Sequence, residues 1–114
     1  DKVGTTEENL KAAAAGEHEE WTSMYPEFAK VAREEGFTRI ANLFEMVAKI
    51  EQEHDARYNL LLANIREDKV FKRNEKMIWM CSNCGHVYEG TEAPEICPVC
   101  AHPKAFFEIK ANNY

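Results

Sequence analysis

The segment KIEQEHDARY, residues 49–58, sets Glu51 and His54 three positions apart, so a helix would stack a carboxylate and an imidazole on one face. Phe44, Val47 and Tyr58 share that face, which is the one a soluble helix buries. An earlier segment repeats the anomaly. Glu17 falls on the apolar stripe Leu10, Ala14, Trp21, Met24, Phe28, Val31, and Glu20 follows one turn later, within reach of the same region. An ionised carboxylate left unpaired in an apolar interior is costly. A divalent cation removes that cost, because carboxylate oxygens and neutral imidazole are its ligands and its charge keeps the acids deprotonated. The competing reading is a solvated acidic face. It suits Glu19, Glu34, Glu35, Glu53 and Asp55, mostly off the stripes, and His18, turned about 100° from Glu17.

A second group of ligands lies further on. Cys81-x-x-Cys84 and Cys97-x-x-Cys100, separated by twelve residues, form two knuckles that put four thiolates around a tetrahedral centre suited to zinc or to a single iron. Both spacings argue against a pair of disulfides. Gly85 follows the first knuckle, where positive φ lets backbone N–H groups point at sulfur; Ala101 holds the matching place after the second, at a small local cost. Trp79, Tyr88, Phe106 and Phe107 would supply either a dry shell for the metal or simply the core of a small module, so zinc and iron both stay open. With four thiolates available, His86 and His102 are expected beside the metal or exposed.

Two long helices must position the acids. Thr5 and Glu8 make a capping box that starts the first, and Gly36 stops it. Pro26 lies inside and predicts a bend near Thr22 without a break into two helices. After the short EGFT connection, Thr38 is the expected N-cap of a second helix with the stripe Ile40, Phe44, Val47, Glu51, His54, Tyr58, Leu61, Ile65. So short a connection makes the two helices antiparallel neighbours, each about 40 Å long. From DKVFKRNEKMIW onward the helical period fades, which places a boundary near residue 74: a helical region over 1–74 and a four-cysteine metal domain over 75–114.

Di-iron carboxylate sites in four-helix bundles take one Glu from each of two helices and a Glu-x-x-His from each of the other two. This chain supplies one helix of each kind, and so half a site. The other half is expected from a second copy or from a preceding helix pair; a chain that begins at Asp1 suggests that something upstream was removed or belongs to a separate chain. Two helices alone would also leave Trp21, Phe28, Phe44 and Ile50 in water, which predicts an oligomer. The charge balance, 14 Lys plus Arg against 20 Asp plus Glu and a net −6, argues against nucleic acid. No apolar run approaches the about 18 residues of a membrane span, and no secretion signal opens the chain, so the cytoplasm is the expected location.

AAAAGEHEEW, MYPEFAKVAREEGF, IEQEHDARY and CPVCAHPKAFFE, in this order, resemble the later part of the rubrerythrin family. That resemblance implies a mainly α fold, half of a ferritin-like four-helix bundle, followed by a small rubredoxin-like domain. It implies two non-haem irons in a carboxylate-bridged site, with Glu17 and Glu51 bridging or flanking them, His54 a terminal ligand, and Glu20 the ligand released on reduction. Tyr25 resembles a tyrosine near that pocket, and Cys81, Cys84, Cys97 and Cys100 correspond to the rubredoxin-like iron ligands. The implied activity is a peroxidase that reduces hydrogen peroxide to water in oxidative-stress protection, with electrons from a reductase or rubredoxin, ultimately from NADH, passing through the sulfur-bound iron. An iron-oxidising or storage protein, and a non-enzymatic zinc-ribbon module whose glutamates meet Lys or Arg, are the alternatives.

Overall fold

The computed structural model describes residues 3–114, which divide between Ala63 and Asn64 into two compact units. The first is a helical hairpin. Helix α1 spans Thr6–Glu19, a wide π-helical segment spans Glu20–Met24, α2 spans Tyr25–Glu34 and α3 spans Thr38–Arg66.

The caps form as the sequence dictates. Thr5 accepts from the Glu8 N–H at 3.2 Å while the Glu8 carboxylate accepts from the Thr5 N–H at 2.8 Å. Gly36 ends the rod at φ 87°, and the Phe37 N–H reaches back to the Ala32 carbonyl at 2.8 Å. Thr38 is the first helical residue of α3, one place inside its expected cap position.

Pro26 lacks the N–H that would serve the Thr22 carbonyl, and the chain widens over Glu20–Met24 into π turns, with the Tyr25 N–H bonded back to the Glu20 carbonyl. Helical backbone therefore runs unbroken from Thr6 to Glu34, and the turn that carries Glu20 is the wide one.

Ala14, Ala29 and Ala32 on the first rod and Ala41, Asp55 and Leu62 on α3 are the buried positions of the hairpin. Cross-links pair early with late residues, as antiparallel helices must: Trp21 with Asp55, Phe28 with Phe44, Arg33 with Glu45. Phe28, Val31, Ile40, Leu43, Met46 and Ile50 stay exposed, so the expected open apolar face is present; Trp21 and Phe44 are half-buried. Asp55, expected on the solvated side, is buried. Ala41, Ala48, Asp55 and Leu62 recur every seven residues, two helical turns, which brings Asp55 under the rod that packs on α3.

The second unit holds a three-stranded antiparallel sheet in the order β2-β1-β3, from β1 (Lys72–Cys81), β2 (Val87–Glu92) and β3 (Phe107–Ile109). The expected boundary near residue 74 falls inside β1. Trp79 stands opposite Tyr88 and Ile109, and Cys81 opposite Phe107. Strand alternation sends Trp79 and Cys81 to one face, where they bury with Ala93, Cys97 and Phe107. The buried Trp79 indole donates to the Gly90 carbonyl at 2.9 Å. Tyr88 and Phe106 lie outside this core, so only two of the four expected aromatics build it.

Gly85 has φ 84° and Ala101 φ 61°, so both knuckles end in the left-handed region that penalises a side chain. Ala101→Gly should stabilise the unit by up to about 1 kcal/mol, the strain relieved outweighing the added freedom of the unfolded chain. Denaturation midpoints followed by thiolate absorption check this; an unchanged or lower midpoint contradicts it.

Candidate metal centres

The two knuckles are built alike. In the first, Gly85 N–H bonds to the Cys81 carbonyl at 2.8 Å and Cys81 N–H to the His86 carbonyl at 2.9 Å. In the second, Ala101 N–H bonds to the Cys97 carbonyl at 2.9 Å and Cys97 N–H to the His102 carbonyl at 2.8 Å. The four sulfurs lie within 4.8 Å of one another, with Cys84 3.6 Å from Cys97 and Cys81 3.7 Å from Cys100. No disulfide joins them. Sulfurs about 2.3 Å from a central ion mark a tetrahedron with edges of about 3.8 Å, so the observed spacings match a four-thiolate site.

Their acidities are pulled apart. The His102 N–H, with Asn83 and two neighbouring sulfurs, draws Cys100 down to about 6. At Cys84 the His86 N–H pulls down, but burial and hydrogen bonding among the sulfurs prevail and push the thiol up to about 12. The sulfurs cannot all ionise together without a cation between them. His86 and His102 thus turn backbone N–H groups toward the cysteines, and the His102 ring packs edge-on against Phe106 at 4.6 Å.

In the hairpin, ligand atoms of Glu17, Glu51 and His54 also lie within 4.8 Å of one another. The His54 Nδ1 is 2.9 Å from Glu51 Oε2 and 3.7 Å from Glu17 Oε2. Glu17 Oε2 is buried and has no hydrogen-bond partner, and among the described residues His54 is the ion-pair partner of both acids. No described Lys or Arg neutralises them. Contact with the Glu51 carboxylate pushes Glu17 up to about 7, reinforced by burial and by the charges of Glu51 and Glu20 and opposed by His54. The same contact holds Glu51 below its ordinary value, with His54 assisting. An orphaned carboxylate oxygen facing a second carboxylate and an imidazole fits a cation, which would accept all three as donors.

Glu20 lies in the wide π segment, outside this cluster of ligand atoms though near enough to act on Glu17. Tyr25 stacks on Phe44 and meets Phe28 edge-on, both at 6.0 Å, and its hydroxyl bonds to neither Glu17 nor Glu51.

Beside the cluster lies a polar group that stripe-counting missed. Buried Asp55 accepts from the Trp21 indole at 2.7 Å, from His18 Nδ1 at 3.0 Å and from Asn59 Nδ2 at 2.6 Å. The Trp21 indole, then His18, hold its carboxyl below the usual range. His18 remains exposed as expected, yet one ring nitrogen is committed to Asp55. The seven-residue recurrence in α3 was the signal that could have found this group.

A family model described as "Rubrerythrin" matches residues 1–62, and one described as "Rubrerythrin, rubredoxin-like domain" matches residues 79–108. The chain belongs to the rubrerythrin family. It is 53% identical over 112 residues to rubrerythrin-1 of Clostridium acetobutylicum, covering 98% of this chain and 57% of that protein. It is 54% identical to rubrerythrin of Porphyromonas gingivalis over the same length, covering 56% of the relative. The chain therefore spans little more than half the length of these curated relatives. A solved structure described as "Partially Reduced State of Nigerythrin" superposes with a TM-score of 0.56 at 29% identity, covering 96% of this chain and 52% of the other. The helical hairpin and the knuckle unit thus form a ferritin-like half and a rubredoxin-like domain. Membership of the rubrerythrin family implies a di-iron site and a rubredoxin-like iron, and the Glu17–Glu51–His54 and four-cysteine clusters are the groups here that could hold them.

Each cluster should lose its ion without disturbing the other. Glu51→Ala should abolish ion uptake in the hairpin and leave the colour of iron at the cysteines intact, whereas Cys97→Ser should do the reverse. Iron per chain and the visible spectrum separate the two; joint loss in both variants would show that the sites are not independent. Ion uptake at the hairpin should also depend on protons. Below about 7 Glu17 carries a proton that an incoming cation must displace, and above it carries none. Uptake should release more protons about one pH unit below that value than about one unit above it, and affinity should climb with pH and then level. Proton release in weakly buffered solution measures this; equal release on both sides contradicts it.

Proposed function

We propose that this chain contributes half of the di-iron centre, and the whole electron-relay centre, of a peroxidase that reduces hydrogen peroxide to water. The observation that carries the reading is Glu17 Oε2, buried without a hydrogen-bond partner beside Glu51 and His54. The complementary half comes from a second copy or from a helix pair that precedes this one. An iron pair held by these carboxylates would supply two electrons to an O–O bond, and an iron at the cysteines would be the one-electron source that replaces them.

Glu17 and Glu51 would hold that pair from opposite helices, with His54 a nitrogen donor at its edge. Glu20 is the carboxylate suited to changing its engagement, because it sits on the π turn, close enough to act on Glu17 yet outside the cluster of donor atoms. Tyr25, packed among Phe28 and Phe44, keeps that end of the pocket apolar. Each turnover consumes one peroxide, two electrons and two protons and yields two waters. The electrons come from a reductase or a rubredoxin drawing on NADH, and a cytoplasmic location suits such donors. In the described residues no helix is long and apolar enough to cross a membrane.

Anaerobically reduced, iron-loaded protein mixed with one equivalent of peroxide tests the proposal. Stoichiometric loss of peroxide, with the ferric thiolate colour appearing only afterwards, is the expected result. Reduced protein that consumed no peroxide would overturn it.

A further inference from the structure

Asp55 and the two residues that reach it from the other rod each follow one of the acids or the histidine near the cluster. His18 directly follows Glu17, Trp21 directly follows Glu20, and Asp55 directly follows His54. Successive helical residues diverge by about 100°, so the first member of each pair can face the open side while the second faces the seam of the hairpin. At the seam these second members are bonded to one another: Trp21 Nε1 and His18 Nδ1 both donate to Asp55 Oδ2, at 2.7 and 3.0 Å. Asn59, one turn later on α3, holds the other oxygen at 2.6 Å and so fixes the carboxylate plane. Since a carboxylate only accepts, His18 presents its Nδ1 proton here.

Elsewhere along the seam the directional contacts are exposed, Arg33 to Glu45 and Asn42, and the Tyr25, Phe28 and Phe44 rings pack at the far end from Glu17. The other buried positions of the seam are Ala14, Ala29, Ala32, Ala41 and Leu62, and alanine offers no directional contact and only shallow ridges. A slip of one turn displaces a helix by about 5.4 Å and would leave such a seam nearly as well packed. The same slip would carry Glu17 away from Glu51 and His54, whose donor atoms now lie within 4.8 Å. Directional bonds to a buried charge forbid it, because breaking them leaves an uncompensated carboxylate.

We propose that Asp55 is a positioning residue for the di-iron site, locking the axial and rotational register of α1 against α3 through Trp21 and His18 so that Glu17, Glu51 and His54 converge. The proposal rests on the metal-binding reading of that cluster.

The test titrates cobalt(II) into the assembled protein with zinc held at the cysteines, comparing the wild type with Glu51→Ala, Asp55→Asn and Trp21→Phe. Asp55→Asn keeps the shape of the side chain and loses its charge; Trp21→Phe removes one donor. The expected result is a loss of cobalt affinity of about tenfold or more in both seam variants, with an altered ligand-field spectrum and retained helical circular dichroism. If Asp55→Asn fails to fold, Trp21→Phe alone decides by the same criteria. A lower melting temperature with unchanged affinity and spectrum would make Asp55 a stabilising residue only and overturn the proposal. If the wild type bound no cobalt beyond the background of Glu51→Ala, the metal-binding reading itself would fall, and this proposal with it.

Discussion

Like-charged donor groups brought within a few ångströms of one another are the constraint on which the rest of this molecule depends. Glu17 and Glu51 face each other across a helical seam, and four cysteine sulfurs crowd one point between two knuckles. Neither arrangement is a low-energy way to bury ionised groups: Glu17 is pushed up to about 7 by the neighbouring Glu51, while Cys100 is drawn down to about 6 and Cys84 pushed up to about 12. A cation resolves both conflicts at once. The scaffold around each cluster reads as the means of holding repelling groups still until the cation arrives.

The two units do so by different physics. In the knuckle unit the backbone supplies the order, with paired turns, carbonyl bonds and N–H groups aimed at sulfur, backed by Trp79 and Phe107. In the hairpin the backbone is regular except at the π turn, and side chains carry the order: a buried carboxylate bonded from two elements, with alanines around it. The Glu/His donors lie on elements far more regular than the cysteine loops, so their convergence depends on how the helices are docked.

Much of this could be read from the chain before any coordinates. The capping box, the glycine stop, the two knuckles and the inward acids are local signals, each set by a handful of consecutive residues, and Glu17, Glu51, His54 and the cysteines converge as spacing implied. What escaped was non-local. Counting a single stripe assigned Asp55 to solvent, because the stripe that carries Glu51 and His54 and the arc that buries Ala41, Asp55 and Leu62 are different arcs of α3. Pro26 signalled a disturbance, but that the helix answers the lost hydrogen bond by widening into π turns was not legible from the proline alone. Tyr88 and Phe106 likewise have the chemistry of core residues, yet both stay exposed, Tyr88 even though it pairs with the buried Trp79.

Phe28, Val31 and Ile40 remain exposed apolar side chains of the hairpin. A cover supplied by another chain would make the persistence of the hairpin a matter of mass action as well as of sequence. If the cover is another copy, dilution would weaken the helices and empty the iron pair together, whereas a cover tethered in the same polypeptide would make both indifferent to concentration. With a second copy as the cover, fold maintenance and cofactor retention would be a single equilibrium, and the amount of protein present would set how much of it is redox-competent.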